Sequence, residues 1–267
     1  MTLYGAEVLR FGLRRQRRGT VLWACSLAAY SAAIAATWPS IRRAHLDKVA
    51  ASLPATLRKA FGFSNVGSPG GYLSAELFAL VVPALLIVAA VLVAANLTAG
   101  DEDGGLLEMV LAQPVARAVV LYQRYLVILL ELCAITAVAL VALLVVDPLV
   151  DLKISGARLA SACLTAGMLA LVHAAVVVAA AGLGASRRLA AGAAAAVAVV
   201  GYLAMVIAGI APPLSWLQGI SPWHWLAAGQ VIQHGLKPGG IFLGLAIAAV
   251  LVAVGLAGFQ RRDIRGA

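Results

Sequence analysis

Six long apolar runs constrain this chain more than any other feature. They lie at residues 19–37, 73–96, 122–146, 157–183, 189–211 and 240–258. Each comes close to the ~20 residues that a helix rising 1.5 Å per residue needs to cross a hydrocarbon layer of roughly 30 Å. Lipid offers no hydrogen-bond partner to a free backbone N–H or C=O, so these runs are read as helices. Only 12% of the residues are charged, about half the share of a soluble domain, which excludes a water-soluble globule. The expected fold class is an all-α integral membrane protein with six transmembrane helices, forming a single domain over residues 1–267. The apolar stretch after Arg10–Arg18 is long enough to span, so it is read as the first span rather than as a cleaved signal peptide.

Charge sets the expected orientation. An even number of spans puts both termini on one side. That side collects Arg10, Arg14, Arg15, Arg17, Arg18, Arg117, Arg124, Arg187, Arg188, Arg261, Arg262 and Arg265, against Arg42, Arg43, Lys48, Arg58, Lys59, Lys153, Arg158 and Lys237 on the other. The positive-inside rule makes the first side cytoplasmic. The net charge of +9 is assigned to lipid headgroups rather than nucleic acid, because the arginines cluster beside the spans. Trp38, Trp216, Trp223 and Trp225 fall at external span ends or loops, where an aromatic belt belongs.

The connecting segments have characters of their own. Leu3, Leu9 and Leu13 recur among Glu7, Arg10, Arg14 and Arg17, the pattern of a helix lying at the inner membrane surface. Residues 41–62 form an external amphipathic segment. Residues 212–239 are too long for a simple connector and too apolar to be solvated, so they are expected to touch or re-enter the membrane. After the second span comes an acidic cluster, Asp101, Glu102 and Asp103. Leu106, Leu107, Val110 and Leu111 follow on one helical face, and Pro114 ends the run. A short helix over 101–114 on the inner surface is expected there.

That segment carries a resemblance. Glu102-Asp103-Gly104-Gly105-Leu106-Leu107-Glu108, followed by Leu111-Ala112-Gln113-Pro114-Val115-Ala116-Arg117, resembles the E-E-x-G-T-L-E…L-x-x-P-V-S-R signature of ABC-2-type permeases. Leu9–Trp23, Leu53-Pro54, Phe61-Gly62, Gly71-Tyr72-Leu73, Ser221-Pro222-Trp223-His224 and Phe259-Gln260-Arg261-Arg262-Asp263 look like that family too, so the likeness runs over nearly the whole chain. Leu106 and Ala116 depart from it, each lacking a hydroxyl near a helix end. The resemblance implies the ABC-2 (type V exporter) fold, with an N-terminal interfacial helix, a cytoplasmic coupling helix and external re-entrant helices before the last span. It implies a bacterial plasma-membrane permease subunit, homodimeric or paired with a related permease, exporting a hydrophobic or amphipathic drug, antibiotic or lipid-like substrate. Two copies of a separate ATP-binding subunit would hold the ATP and Mg²⁺. The residues it places at the coupling segment are Asp101, Glu102, Asp103, Gly105, Leu107, Glu108, Leu111, Pro114 and Arg117.

None of Lys48, Lys59, Lys153 and Lys237 stands in a Gly-rich Gly-Lys-Ser/Thr turn, so the chain supplies no P-loop. This reading makes it a transport subunit rather than an enzyme, binding no cofactor of its own. Cys25, Cys133 and Cys163 sit in apolar runs at unrelated spacings and read as small core residues, and His45, His224 and His234 have no second ligand at metal spacing. Glu131 in the third span and His173 in the fourth are costly within lipid and lie at similar heights, so they are placed where they could meet; the plain reading is a hydrogen-bonded pair, or a protonated Glu131, holding spans together, and the functional alternative is a substrate contact or proton relay. A gradient-driven carrier using these two residues is the rival reading, and an intramembrane enzyme the third. Gly240 and Gly244 have the spacing of a close helix contact.

Overall fold

The computed structural model describes residues 3–43, 67–113 and 116–262. Most of the external amphipathic segment, together with Pro114, Val115 and residues 263–267, lies outside them. Helix α1 is Leu3–Ala36, with α2, Trp38–Arg43, directly after it. The second spanning segment contains α3 (Pro69–Leu73), a π-helical turn (Ser74–Phe78) and α4 (Val81–Leu97). Two short helices follow, α5 (Ala99–Asp103) and α6 (Leu106–Leu111). Then come α7 (Arg117–Leu149), α8 (Gly156–Gly182) and α9 (Arg187–Ile210). A 3₁₀ helix (Pro212–Ile220), α10 (Pro222–Trp225) and α11 (Ala228–His234) lead into α12 (Pro238–Arg261). Six segments are long and apolar enough to span, as expected: Glu7–Arg43, Pro69–Asp103, Arg117–Leu149, Gly156–Gly182, Arg187–Ile210 and Pro238–Arg261.

The surface helix and first span expected as separate elements are one uninterrupted α1 of 34 residues, about 51 Å long at 1.5 Å per residue. Nothing breaks it at Gly12 or Gly19. Gly12 lies against α7, where an added Cβ would stand 2.8 Å from a Val127 methyl. The pairing of α1 with α7 begins below the apolar run and carries the helix straight through it.

Helix α8 is the axis of the bundle. Its most apolar window is 83% buried, against 22% for α9 and α12, and it packs on α4, α7, α9, α11 and α12. Its buried face is largely Ala and Val, which lets neighbours approach closely. The tightest approach is to α12, where a Cβ on Gly182 would fall 2.1 Å from the Gly255 carbonyl oxygen and one on Gly255 would fall 2.7 Å from that of Val178. Of Gly240 and Gly244, expected to seat a neighbouring span, Gly244 does lie against α8, while Gly240 seats the segment before α12. A Cβ on Gly240 would meet the Trp225 carbonyl oxygen at 2.1 Å, and Gly244 faces Leu226 as well as Met168 of α8.

That segment folds back along α9. The Ser221 hydroxyl donates to the Gly201 carbonyl at 2.6 Å, and the Trp223 indole N–H to the Ala198 carbonyl at 2.9 Å. Both acceptors lie nine or more residues inside the Ile210 end of α9, a depth of roughly 14 Å or more. Trp223 and Trp38 are therefore buried, not arrayed as a belt, whereas Trp216 is exposed. Trp38 stacks at a tilt on Tyr72, whose hydroxyl lies 2.6 Å from that of Thr37. Of the cysteines only Cys163 is in the core; Cys25 and Cys133 face outward.

Candidate functional site

Helix α4 ends at Thr98, whose hydroxyl turns back to the Ala94 carbonyl at 2.6 Å. The chain restarts as α5, which carries all three acids, and then breaks again. Gly105 takes a left-handed φ of 70°, open to glycine at little cost, and α6 sets off in a new direction. The single helix expected over 101–114 is thus two short helices. Neither α6 nor α7 begins with a side-chain cap, with Gly105 and Ala116 at the cap positions.

The acids of α5 reach different parts of the bundle, Asp101 and Glu102 pointing into it and Asp103 lying exposed at its edge. Asp101, 4% exposed, pairs with Arg124 of α7 at 3.0 Å and with Arg15 of α1. Glu102 takes both guanidinium nitrogens of Arg262, at the end of α12, with 2.6 Å between Arg262 Nη1 and Oε1. Arg262 also donates to the Gly182 and Ala181 carbonyls at the C-terminal end of α8, at 3.0 and 3.1 Å, while its own carbonyl accepts from Arg117 of α7 at 2.9 Å. Asp103 accepts from the Arg187 backbone N–H at the start of α9, 3.0 Å away. A carboxylate is favoured there because the first N–H groups of a helix have no internal partner.

One five-residue helix therefore bonds to α1, α7 and α9 and to Arg262 at the end of α12, and Arg262 in turn ties in the end of α8. Three are chain starts (α1, α7, α9) and two are chain ends (α8, α12), so the spans alternate in direction and the two ends of the described chain share this face. A charge at such depth is tolerated when paired and saturated with hydrogen bonds; Arg124 and Asp101 are both nearly inaccessible. Beside the pair, a cleft of about 260 Å³ opens between α1, α6 and α7, lined by Phe11, Gly12, Arg15, Asp101, Met109, Val110, Arg124 and Val127 among others.

Residues 6–260 match the family described as multidrug efflux system permease Rv1217c, C-terminal domain. The chain belongs to this family. It is a multi-pass, ABC-2-type efflux permease. A comparison with curated proteins gives no match.

In this permease the residues singled out from the sequence divide into two groups. Asp101, Glu102, Asp103 and Arg117 bind within the bundle, and Leu107 is buried at 1% exposure. What α6 and the turn after it present outward is Glu108, Met109, Ala112 and Gln113, with Leu111 half-buried. Pro114 lies outside the described residues. The inward turn of Asp101 and Glu102 was not legible from spacing, since apart from Arg124 the partners of the three acids, Arg15, Arg187 and Arg262, stand 84 to 160 positions away.

Glu131 and His173 do not bond to each other. Both carboxylate oxygens of Glu131 are buried without a hydrogen-bond partner among the described residues, as is His173 Nε2. Glu131 stands beside Thr20 of α1, but that hydroxyl donates to the Gln16 carbonyl at 3.1 Å. His173 is spent locally: its Nδ1–H donates to the Leu169 carbonyl at 2.8 Å, which stabilises its own helix rather than a neighbour's.

Proposed function

We propose that the chain is the membrane subunit of an ATP-driven exporter, moving hydrophobic or amphipathic molecules and powered by a separate ATP-binding subunit that docks on the arginine-rich, cytoplasmic face. One observation carries this reading. The α5 helix at the base of α6 is bonded to α1, α7, α9 and Arg262 after α12, and Arg262 links on to α8, so a push on the exposed side of α6 reaches the whole bundle. Coupling of this kind is reciprocal: a substrate that favours one arrangement of the spans biases ATP hydrolysis in return. The docking surface is then Glu108, Met109 and Gln113, with α5 as the transmitter behind it. A second copy or a related permease completes the path, and ATP with Mg²⁺ belongs to the partner.

The test is purification of the tagged permease from its native membrane with whatever ATP-binding subunit accompanies it. The triple variant E108A/M109A/Q113A is expected to lose that subunit while its melting temperature stays within about 2 °C, a scale set by surface substitutions worth about ±0.5 kcal/mol. Retention of the ATPase by this variant sinks the assignment of the docking surface. If no ATPase accompanies the folded wild type, the exporter reading fails.

The unpartnered Glu131 supports a second reading, a gradient-driven carrier in which this carboxyl exchanges a proton. Transport into liposomes without ATP, abolished by E131Q, is its distinguishing result.

A further inference from the structure

We propose that the outward face of α1 at its arginine end is a binding surface for anionic phospholipid headgroups. Arg14 follows Arg10 by four positions, and Arg17 and Arg18 follow Arg14 by three and four, the spacings that stack side chains on one helical face. All four are exposed, and none has an ion pair among the described residues. Arg15, turned away from this face, is the α1 arginine that Asp101 neutralises. Because α1 runs unbroken into the membrane, the stripe continues without a change of direction into an apolar face. Val21 and Leu22, one turn beyond Arg17 and Arg18, are 53% and 68% exposed. A lipid whose acyl chains lie along Val21 and Leu22 has its phosphate level with Arg17 and Arg18, and Arg10 and Arg14 extend the stripe about 12 Å from Arg18.

Charge and position choose this occupant over others. A second copy packing the same face against itself would set four guanidinium groups against four, an unfavourable isologous contact. A soluble partner would have to reach within one turn of residues that face hydrocarbon. Phosphatidylglycerol offers a phosphate that guanidinium groups bind in a paired geometry, in the layer that the helix must cross.

The experiment places the full chain in phosphatidylcholine vesicles holding a trace of spin-labelled phosphatidylglycerol or spin-labelled phosphatidylcholine. The motionally restricted fraction of each label is then read by electron paramagnetic resonance. Wild type is expected to prefer the anionic label about fivefold, the factor for one well-placed basic residue, and to lose most of that preference in high salt. R10Q/R14Q/R17Q/R18Q should fall below twofold. The matching all-lysine variant should keep most of the preference, and R187Q/R188Q, which removes basic charge elsewhere on the same face, should keep all of it. Should the quadruple variant fail to fold, R10Q/R17Q and R14Q/R18Q are each expected to lower the preference partway. No preference in wild type, full preference in the folded glutamine variants, or an equal loss from R187Q/R188Q overturns the proposal. So does a quadruple variant that sheds an ATP-binding subunit while keeping its phosphatidylglycerol preference.

Discussion

Three carboxylates in one short helix carry unequal weight because their surroundings differ. Asp101 is buried with Arg124 and also pairs with the exposed Arg15, and removing one member of a buried pair leaves the other uncompensated, at a cost of about 3–5 kcal/mol. Asp103 is exposed and interacts with a helix N-terminus, an arrangement worth about 0.3–1 kcal/mol. D101N is therefore expected to lower the melting temperature in detergent or nanodiscs severalfold more than D103N, and equal losses would contradict this division. Glu131 has the opposite sign. Its buried oxygens lack partners, so E131M, which removes the polar group at similar length, should leave thermal stability unchanged or raise it by about 1–3 kcal/mol, the scale of an unsatisfied polar group. His224, in the loop region before α12, is held below its usual range, first by partial burial and then by the Lys237 charge. A lowered histidine pKa means that the unfolded chain binds the extra proton first. Stability is then full above about pH 6.5 and declines as the pH falls below it. A melting series from pH 7.5 to 5 should show this decline in wild type and less of it in H224Q.

At the scale of elements, glycines decide how closely helices meet. G255A adds a methyl 2.7 Å from a carbonyl oxygen of the central helix α8, and in an interface of backbone against backbone nothing flexible can yield. G192A, in α9 with no atom within 4 Å of the added Cβ, gains only helix propensity, up to about 1 kcal/mol. Thermal melting should therefore fall clearly for the first and hold or rise slightly for the second. Gly105 is a third kind of glycine: its Cβ would meet nothing, but its φ of 70° is disfavoured for L-residues by about 1–2 kcal/mol. G105A is expected to disturb the junction between α5 and α6 and to lower the coupling of any bound ATPase more than the melting temperature of the bundle.

Across the whole molecule, the ionic hub closes one end of the bundle while short helices fold in at the other. Because α5 holds α1 and α7 through Asp101, Arg262 after α12 (and, by way of Arg262, α8) through Glu102, and α9 through Asp103, cutting single contacts should free separate groups of spans. E102Q is expected to increase the access of a water-soluble maleimide to cysteines placed at the α8–α12 end, with little change at α1–α7, and D101N should do the reverse. Uniform loosening in both variants would mean that the hub acts as one unit rather than as separate ties.

The number of spans, their places in the chain and the likeness of 101–117 to an efflux permease were legible in the sequence. A bilayer demands long apolar helices whatever they pack against, and the motif needs no tertiary contact to be seen. Which side of each span faces inward was not legible. In lipid the outer face is as apolar as the core, so the periodicity that reveals a soluble helix's buried side is lost: Cys25 and Cys163 look alike in sequence yet face opposite ways. Nor did spacing show that Asp101 and Glu102 turn inward, that Glu131 and His173 miss each other, or that Gly182 and Gly255 make the tightest approach of two spans while Gly240 seats the segment before α12. Each of these is a contact between residues far apart in the chain, set by the relative rotation of whole helices. Local composition cannot encode that rotation, and only the packed bundle decides it.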